Sequence, residues 1–264
     1  MLVSVRVRKI LVIGIGVGNP DHLTVQAIDA LRSLDVVFVM NKAETRGLAS
    51  DELLGVRKLI CERYLGDKPY RLVELSDPAR DPQVADYTAR VEHWHERRAG
   101  LFEDALQHEL SEGQHGGVLV WGDPALYDST LRLLERVLAR GRFAFEYRVI
   151  PGITSIAALA ASHRIALHRI GGAVLITTGR KLREQGFPAG VDDVVVMLDG
   201  ECSFQQLDPA GLEIYWGAYL GTPDEILSAG PLSEQTAVIA QLRSQARARH
   251  GWIMDIYLLR KAAP

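Results

Sequence analysis

The chain has 264 residues, of which 47% are hydrophobic and 24% charged, with a net charge of −3 and a pI near 6.2. These proportions are those of a soluble globular protein and exclude a disordered chain. The acidic balance argues against a broad nucleic-acid surface, which needs a strongly basic face, and no apolar run approaches the roughly 18 residues of a membrane span.

At roughly 100–200 residues per domain, the length predicts two domains or one large one. The opening MLVSVRVRKI lacks the apolar stretch and small-residue cleavage site of a secretory signal. Cys61 and Cys202 are far apart and form no CxxC pair. Both are expected to be small buried residues of a reduced, cytoplasmic protein.

Lys9 to Gly16 reads KILVIGIG, a continuous apolar run closed by glycines. It suits a strand buried on both faces of a parallel sheet. Leu23 to Leu34 carries apolar residues at helical spacing, and Asp35 to Asn41 is a second buried strand, so the chain opens as βαβ. A helix is expected from Ser50 to about Tyr64, and a strand over Arg71–Ser76. The charged stretch from Gln83 to Gly113 reads as one long helix or two in line. Gly117–Gly122 is a strong strand, followed by a helix over Ser129–Arg140, a strand over Phe145–Ile150 and a small-residue helix over Ile153–Ala161.

Beyond residue 168 the texture changes. Ala173–Thr178, Val194–Leu198 and Leu212–Tyr219 read as strands, Asp224–Ala229 as a helical turn, and Thr236–Gln241 and Trp252–Arg260 as closing strands. The expected architecture is α/β. An N-terminal domain over 1–165 has a mostly parallel sheet and a helical insert at about 45–113. A C-terminal domain over 166–264 has a mixed sheet, with the active-site cleft between the two.

Three glycine-bearing turns follow strands of the first half: Gly14-Ile15-Gly16-Val17-Gly18-Asn19-Pro20, Gly122-Asp123-Pro124, and Pro151-Gly152-Ile153-Thr154-Ser155. The first lacks the third glycine of a dinucleotide fingerprint and the Gly-Lys-Ser/Thr of a phosphate loop. It is a tight turn, or a Cβ-free backbone against which a ligand lies. Asp123, fixed in extended backbone by Pro124, either caps its turn or meets a ligand. Thr154 and Ser155 either cap a helix or bond a polar group.

In this order GIGVGNPDHLT, GDPALY and PGITS resemble the tetrapyrrole methylase family of S-adenosylmethionine-dependent methyltransferases. The usual first loop of that family is close to GxGPGDPxxLT. Here Val17 replaces the proline and Asn19 the aspartate. The segments NKAETRGLASDEL, KPYRLVEL and DYTARVEHWHERRAGLFEDAL are similar to its deacetylating branch. The resemblance implies methylation of C-1 of a tetrapyrrole, precorrin-5, with release of acetate, by a homodimer that binds neither nucleic acid nor membrane. It assigns Gly122, Asp123, Leu126, Thr154, Ser155, Met197, Leu198 and Ala218 to S-adenosyl-L-methionine, and Gly14, Gly16 and Gly18 to the tetrapyrrole.

Methyl transfer from a sulfonium needs alignment and a dry site rather than a metal or covalent nucleophile. His93 and His95, two apart on a helix, face different ways, so no metal site is expected. Deacetylation asks for a base or an oxyanion donor. Candidates are His22, Tyr127, Asp123 and Glu44, the first two taken as catalytic. Arg46 and Arg180 are candidate clamps for the substrate carboxylates. Two alternatives stay open: methylation of another ring carbon, and a non-catalytic module that senses a nucleotide.

Overall fold

The computed structural model describes residues 7–41, 52–66, 68–81 and 83–262. They group into two units, Met1–Gly16 with Pro20–Ile153, and Val17–Asn19 with Thr154–Pro264.

The first unit contains β1 (Arg8–Gly14), α1 (Val25–Arg32), β2 (Val36–Asn41), α2 (Glu52–Leu65), β3 (Arg71–Ser76), α3 (Tyr87–Glu109), β4 (His115–Val120), α4 (Thr130–Arg140) and β5 (Phe145–Ile150). Its sheet has the order β3-β2-β4-β1-β5, parallel throughout. Side chains alternate across the sheet, which explains the uninterrupted apolar run of β1. Ile10 and Val12 pack with Phe102 and Leu106 of α3 and with Leu134 and Val137 of α4. Leu11 and Ile13 pack with Leu31 of α1 and Ile60 of α2.

The stretch read as a helical insert also supplies β3, so it is part of this sheet. Helix α3 starts later than Gln83 because Asp86 caps it, accepting from the N–H of Ala89 at 2.7 Å. Strand β4 begins at His115, two residues before the expected Gly117, and so takes in both Gly116 and Gly117. Neighbours on each face fill the space a side chain would need. A Cβ on Gly116 would lie 2.9 Å from the ring of Phe38, and one on Gly117 2.3 Å from Cδ1 of Leu34.

The second unit contains α5 (Ser155–His163), β6 (Val174–Thr178), α6 (Gly179–Gln185), β7 (Asp193–Met197), β8 (Leu212–Ala218), β9 (Ile226–Pro231), α7 (Leu232–His250) and β10 (Asp255–Lys261). The sheet order is β6-β7-β10-β8-β9. Only β6 and β7 pair in parallel, so the sheet is mixed as expected. Helix α5 packs on β8, with Leu159 against the bare face of Gly217, and this places the division of units before Thr154 rather than at residue 165.

Two expectations fail here. Asp224–Ala229 is no helical turn. The segment pairs antiparallel with β8 from Ile226 onward, and its acidic pair belongs to the preceding turn. Thr236–Gln241 is no strand but the middle of α7, which buries Leu232, Ile239 and Ala246 at a seven-residue spacing. The window TAVIAQ is too short to show that period.

Gly117→Ala should cost about 1–3 kcal/mol, the usual range for overpacking. Adding Leu34→Val should recover part of the loss, because both changes act on one space. Urea denaturation of the two single variants and the double variant measures that coupling.

Candidate functional site

In a parallel sheet all strands end on one side, so the turns after β1, β4 and β5 meet there. They approach more closely than side chains permit. A Cβ on Gly14 would lie 2.5 Å from N of Gly152 and 2.9 Å from O of Gly122, and one on Gly152 would lie 2.1 Å from that same oxygen. Gly122 donates to O of Gly16 at 2.7 Å and accepts from N of Gly16 at 3.3 Å. Gly16, Gly18 and Gly122 have φ of 72°, 121° and 69°, the left-handed side that favours glycine.

Gly14 and Gly16 therefore face protein, not open space. A side chain on Gly16 would meet Cβ of His22 at 2.7 Å. Gly18 is half-exposed, and the bare face of Gly122 has nothing within 4 Å. Gly122 is itself buried, so this free space lies beside its backbone within the fold.

Asp123 is half-buried and laces two turns together. Its Oδ1 accepts from the N–H of Ala125 at 2.8 Å, and its Oδ2 from the N–H of Gly152 at 2.9 Å. Leu126, half-buried, donates its N–H to O of Asp123 at 3.1 Å. Tyr127 follows in a left-handed conformation, φ 51°, and is 45% exposed. His22 ends a short 3-10 turn, Pro20–His22, anchored by the Tyr64 hydroxyl donating to O of Pro20 at 3.0 Å. Its Nδ1 is buried without a hydrogen-bond partner among the described residues, and none there joins it to Tyr127.

In the second unit β7 and β8 both run antiparallel to β10, so their C-terminal ends share one edge with the start of β10. Met197 is half-buried there. Leu198 is 66% exposed with φ 54°. A left-handed leucine costs about 1–2 kcal/mol. The residue after it supplies the restraint. Asp199 is buried, and its carboxylate accepts four hydrogen bonds: from N of Glu201 at 3.1 Å, Oγ of Ser203 at 2.9 Å, N of Ser203 at 2.6 Å and the Tyr257 hydroxyl at 2.6 Å. A Cβ on Gly179 would sit 2.4 Å from that carboxyl group.

Beside it Asp255 accepts from Nε1 of Trp216 and Nε of Arg243, both at 3.0 Å. Burial, opposed by the Arg243 charge, holds the Asp255 carboxyl above its ordinary range. Sequence reasoning did not single out Asp199, Tyr257, Asp255 or Arg243. Nothing in the local sequence marks these as buried, since Tyr257 reaches Asp199, and Trp216 reaches Asp255, from far along the chain.

Ala218, at the end of β8, is fully buried, which leaves only its main chain for a ligand. Thr154 caps α5, its Oγ1 accepting from N of Ala157 at 3.1 Å, and Ser155 opens that helix. Arg180 is exposed in the first turn of α6. Arg46 and Glu44 lie outside the described residues. Among the described residues no three His, Cys, Asp or Glu side chains gather at metal-binding range. Cys61 is buried, which pushes its thiol up to about 11, while Cys202 is only half-buried, contrary to expectation.

A family model described as Tetrapyrrole (Corrin/Porphyrin) Methylases matches residues 9–236. A precorrin-6A synthase (deacetylating) of a Sinorhizobium species is 54% identical over 256 residues, 97% of this chain and 96% of its own length. The crystal structure of a cobalamin synthesis related protein (CobF) from Corynebacterium diphtheriae matches with a TM-score of 0.82 and 37% identity, covering 97% of this chain and 100% of that one. The cobalt precorrin-4 methyltransferase CbiF, 15% identical with a TM-score of 0.60, shares the fold over 96% of this chain and 94% of its own.

The turn geometry separates two glycine variants. Gly152→Ala should cost about 3 kcal/mol, since backbone must move to admit the methyl group. Gly122→Ala, strained in φ but not in space, should cost about 1–2 kcal/mol. Urea midpoints in the reverse order would contradict the packing described.

Proposed function

The chain belongs to the tetrapyrrole methylase family, and we propose that it is a deacetylating precorrin-6A synthase of cobalamin biosynthesis, which methylates C-1 of precorrin-5 and releases acetate. The observation that carries this reading is the 54% identity to a protein of that name along nearly the full length of both chains. A precorrin-2 C(20)-methyltransferase of a Sinorhizobium species is 31% identical over 58% of this chain. That favours the deacetylating branch over methylation of another ring carbon.

S-adenosyl-L-methionine would supply an electrophilic methyl group on a sulfonium that leaves as a neutral thioether. The residues present fit such a group in two respects. The left-handed Gly122 leaves free space where a side chain would stand, and Leu198 displays an apolar side chain suited to a flat heterocycle. We assign Gly122, Asp123 and Leu126 to the cofactor from the first unit. Asp123 serves there chiefly by holding the turn, since each of its oxygens already accepts an N–H. From the second unit we assign Met197, Leu198, Thr154, Ser155 and the main chain of Ala218.

The protein's task in methyl transfer is to hold the acceptor carbon in line and keep water out. Acetate release is different. Water adds to the acetyl carbonyl, the carbon–carbon bond breaks with its electron pair passing to the macrocycle, and acetate leaves. His22, with an unpartnered ring nitrogen, is assigned as the base that takes the proton from water. The exposed Tyr127 hydroxyl is assigned as donor to the developing oxyanion. Arg180 and Arg46 are assigned to substrate carboxylates.

The experiment is transfer of labelled methyl from S-adenosylmethionine to precorrin-5, with acetate counted alongside. One acetate per methyl is expected. Methyl transfer without acetate would overturn the deacetylating assignment, and cofactor binding with no transfer would point to a sensing module. Tyr257→Phe should weaken S-adenosylhomocysteine binding about three- to tenfold in calorimetric titration, because one bond holding Asp199, and through it Leu198, is lost, an effect of about 1 kcal/mol. Unchanged affinity would remove Leu198 from the cofactor site.

A further inference from the structure

We propose that Arg98 is a positioning residue that couples the turn after β3 to the turn after β4 and so sets the stance of Tyr127. The proposal rests on the reading that Tyr127 faces the reacting groups, but its structural part can be tested without substrate.

Arg98 stands in the middle of α3 and is 6% exposed. Its Nε lies 2.9 Å from Oδ1 of Asp77, itself buried and directly after β3, an ion pair held by charge and proximity, since neither atom makes a hydrogen bond among the described residues. Its Nη1 donates to Oγ of Ser129 at 3.0 Å. Its guanidinium lies 4.5 Å from the ring centre of Trp94, whose Nε1 donates to O of Pro78 at 2.7 Å. One side chain thus grips two strand-end turns, and the tryptophan it stacks on holds the first of them again.

The decisive detail is Ser129. It occupies the N-cap position of α4, where a serine hydroxyl ordinarily accepts from the helix's first turn. Here it makes no cap bond. The N–H of Thr130 goes instead to Oδ1 of Asp128 at 2.6 Å, and the Ser129 hydroxyl is turned to Arg98. Its role is therefore separable from helix capping.

Tyr127 lies between two anchors. On one side Asp123 fixes the start of the turn to Ala125 and Gly152. On the other, Asp128 and Ser129 are held by α4 and by Arg98. A non-glycine residue at φ 51° persists only where its surroundings over-determine it. A buried ion pair is weak evidence for stability, since its desolvation offsets its attraction. The Asp77–Arg98 pair is better understood as fixing geometry. Arginine suits this because its planar fork reaches two partners while stacking on a ring, which lysine cannot do.

The test compares Ser129→Ala with Ser129→Thr, which keeps the hydroxyl. In Ser129→Ala, amide hydrogen exchange should accelerate in residues 125–129 and stay unchanged within α4, with the melting temperature held. Turnover of precorrin-5 should fall on the order of tenfold through kcat, with KM for S-adenosylmethionine within about twofold, because sub-ångström misplacement acts on the reacting geometry. Ser129→Thr should restore both exchange and turnover. Arg98→Lys should reproduce the alanine phenotype, and the double variant should be no worse than either single one. Wild-type exchange and turnover in Ser129→Ala, a Thr variant as defective as Ala, or loss of folding in Ser129→Ala would each overturn the proposal. A wild-type protein with no activity on precorrin-5 would instead sink the assigned reaction and leave the exchange result to judge the coupling.

Discussion

Three strands of the first sheet can end together only because Gly14, Gly122 and Gly152 put backbone against backbone. The oxygen of Gly122 lies 2.9 Å and 2.1 Å from the points where side chains on Gly14 and Gly152 would begin. That approach brings the turn after β4 across the end of β1 to meet the turn after β5. It also sets the Gly16–Gly122 backbone pair and brings the N–H of Gly152 within reach of Asp123. The turn after β4 is the hub. Everything it displays, the free space beside Gly122, the half-buried Leu126 and the exposed Tyr127, is held in place by that contact and by Arg98 on the far side.

The second unit solves a similar problem with buried charge instead of glycine. Leu198 and Tyr219 follow parallel-running strands β7 and β8, and both have left-handed backbones, at 54° and 50°. Tyr219 is buried, its hydroxyl donating to O of Trp252 and its ring edge-on to Trp252 at 5.2 Å. Leu198 has no such packing, being largely exposed, and is held from the next residue along. Four donors on one carboxylate stabilise far more than a surface turn would need. The same strand starts with a plainer arrangement. Asp193 pairs with Arg260 at 2.5 Å and leaves its second oxygen unbonded among the described residues. A buried aspartate at one end of β7 fixes a strand, and at the other it fixes an exposed apolar side chain in a strained pose.

Most of the first unit was legible because a parallel sheet writes itself as apolar runs closed by glycine turns, and its helices are long enough to show their period. Strand β9 and helix α7 were misread for the complementary reason. An edge strand such as ILSAGP is half exposed and lacks a continuous run, and six residues of α7 mimic a strand when taken without the turns on either side. The site was legible as a set of turns but not as a division of labour. Gly14 and Gly16 stood out as Cβ-free backbone, which suits close packing and ligand access equally. Only the positions of Gly152 and His22 assign them to packing. Arg98 could not be found from local sequence, since Asp77 and Ser129 come from separate elements, and Asp199, though bonded by Glu201 and Ser203 of its own turn, gives no local sign of its burial or of the distant Tyr257 hydroxyl.

This division bears on how the motif should be understood. The first loop departs from its family's usual form at Val17 and Asn19, and such departures would be costly if the loop's side chains met the substrate. In the structure Val17 is buried, and its neighbour Gly16 is closed off by His22. A valine is a conservative occupant for a position that faces the interior, where volume and apolarity are what the surroundings select. The glycines on either side keep the backbone geometry that a proline would otherwise help to fix. The departure at Val17 is thus absorbed as packing, a change in the interior of the fold rather than on a face of the turn.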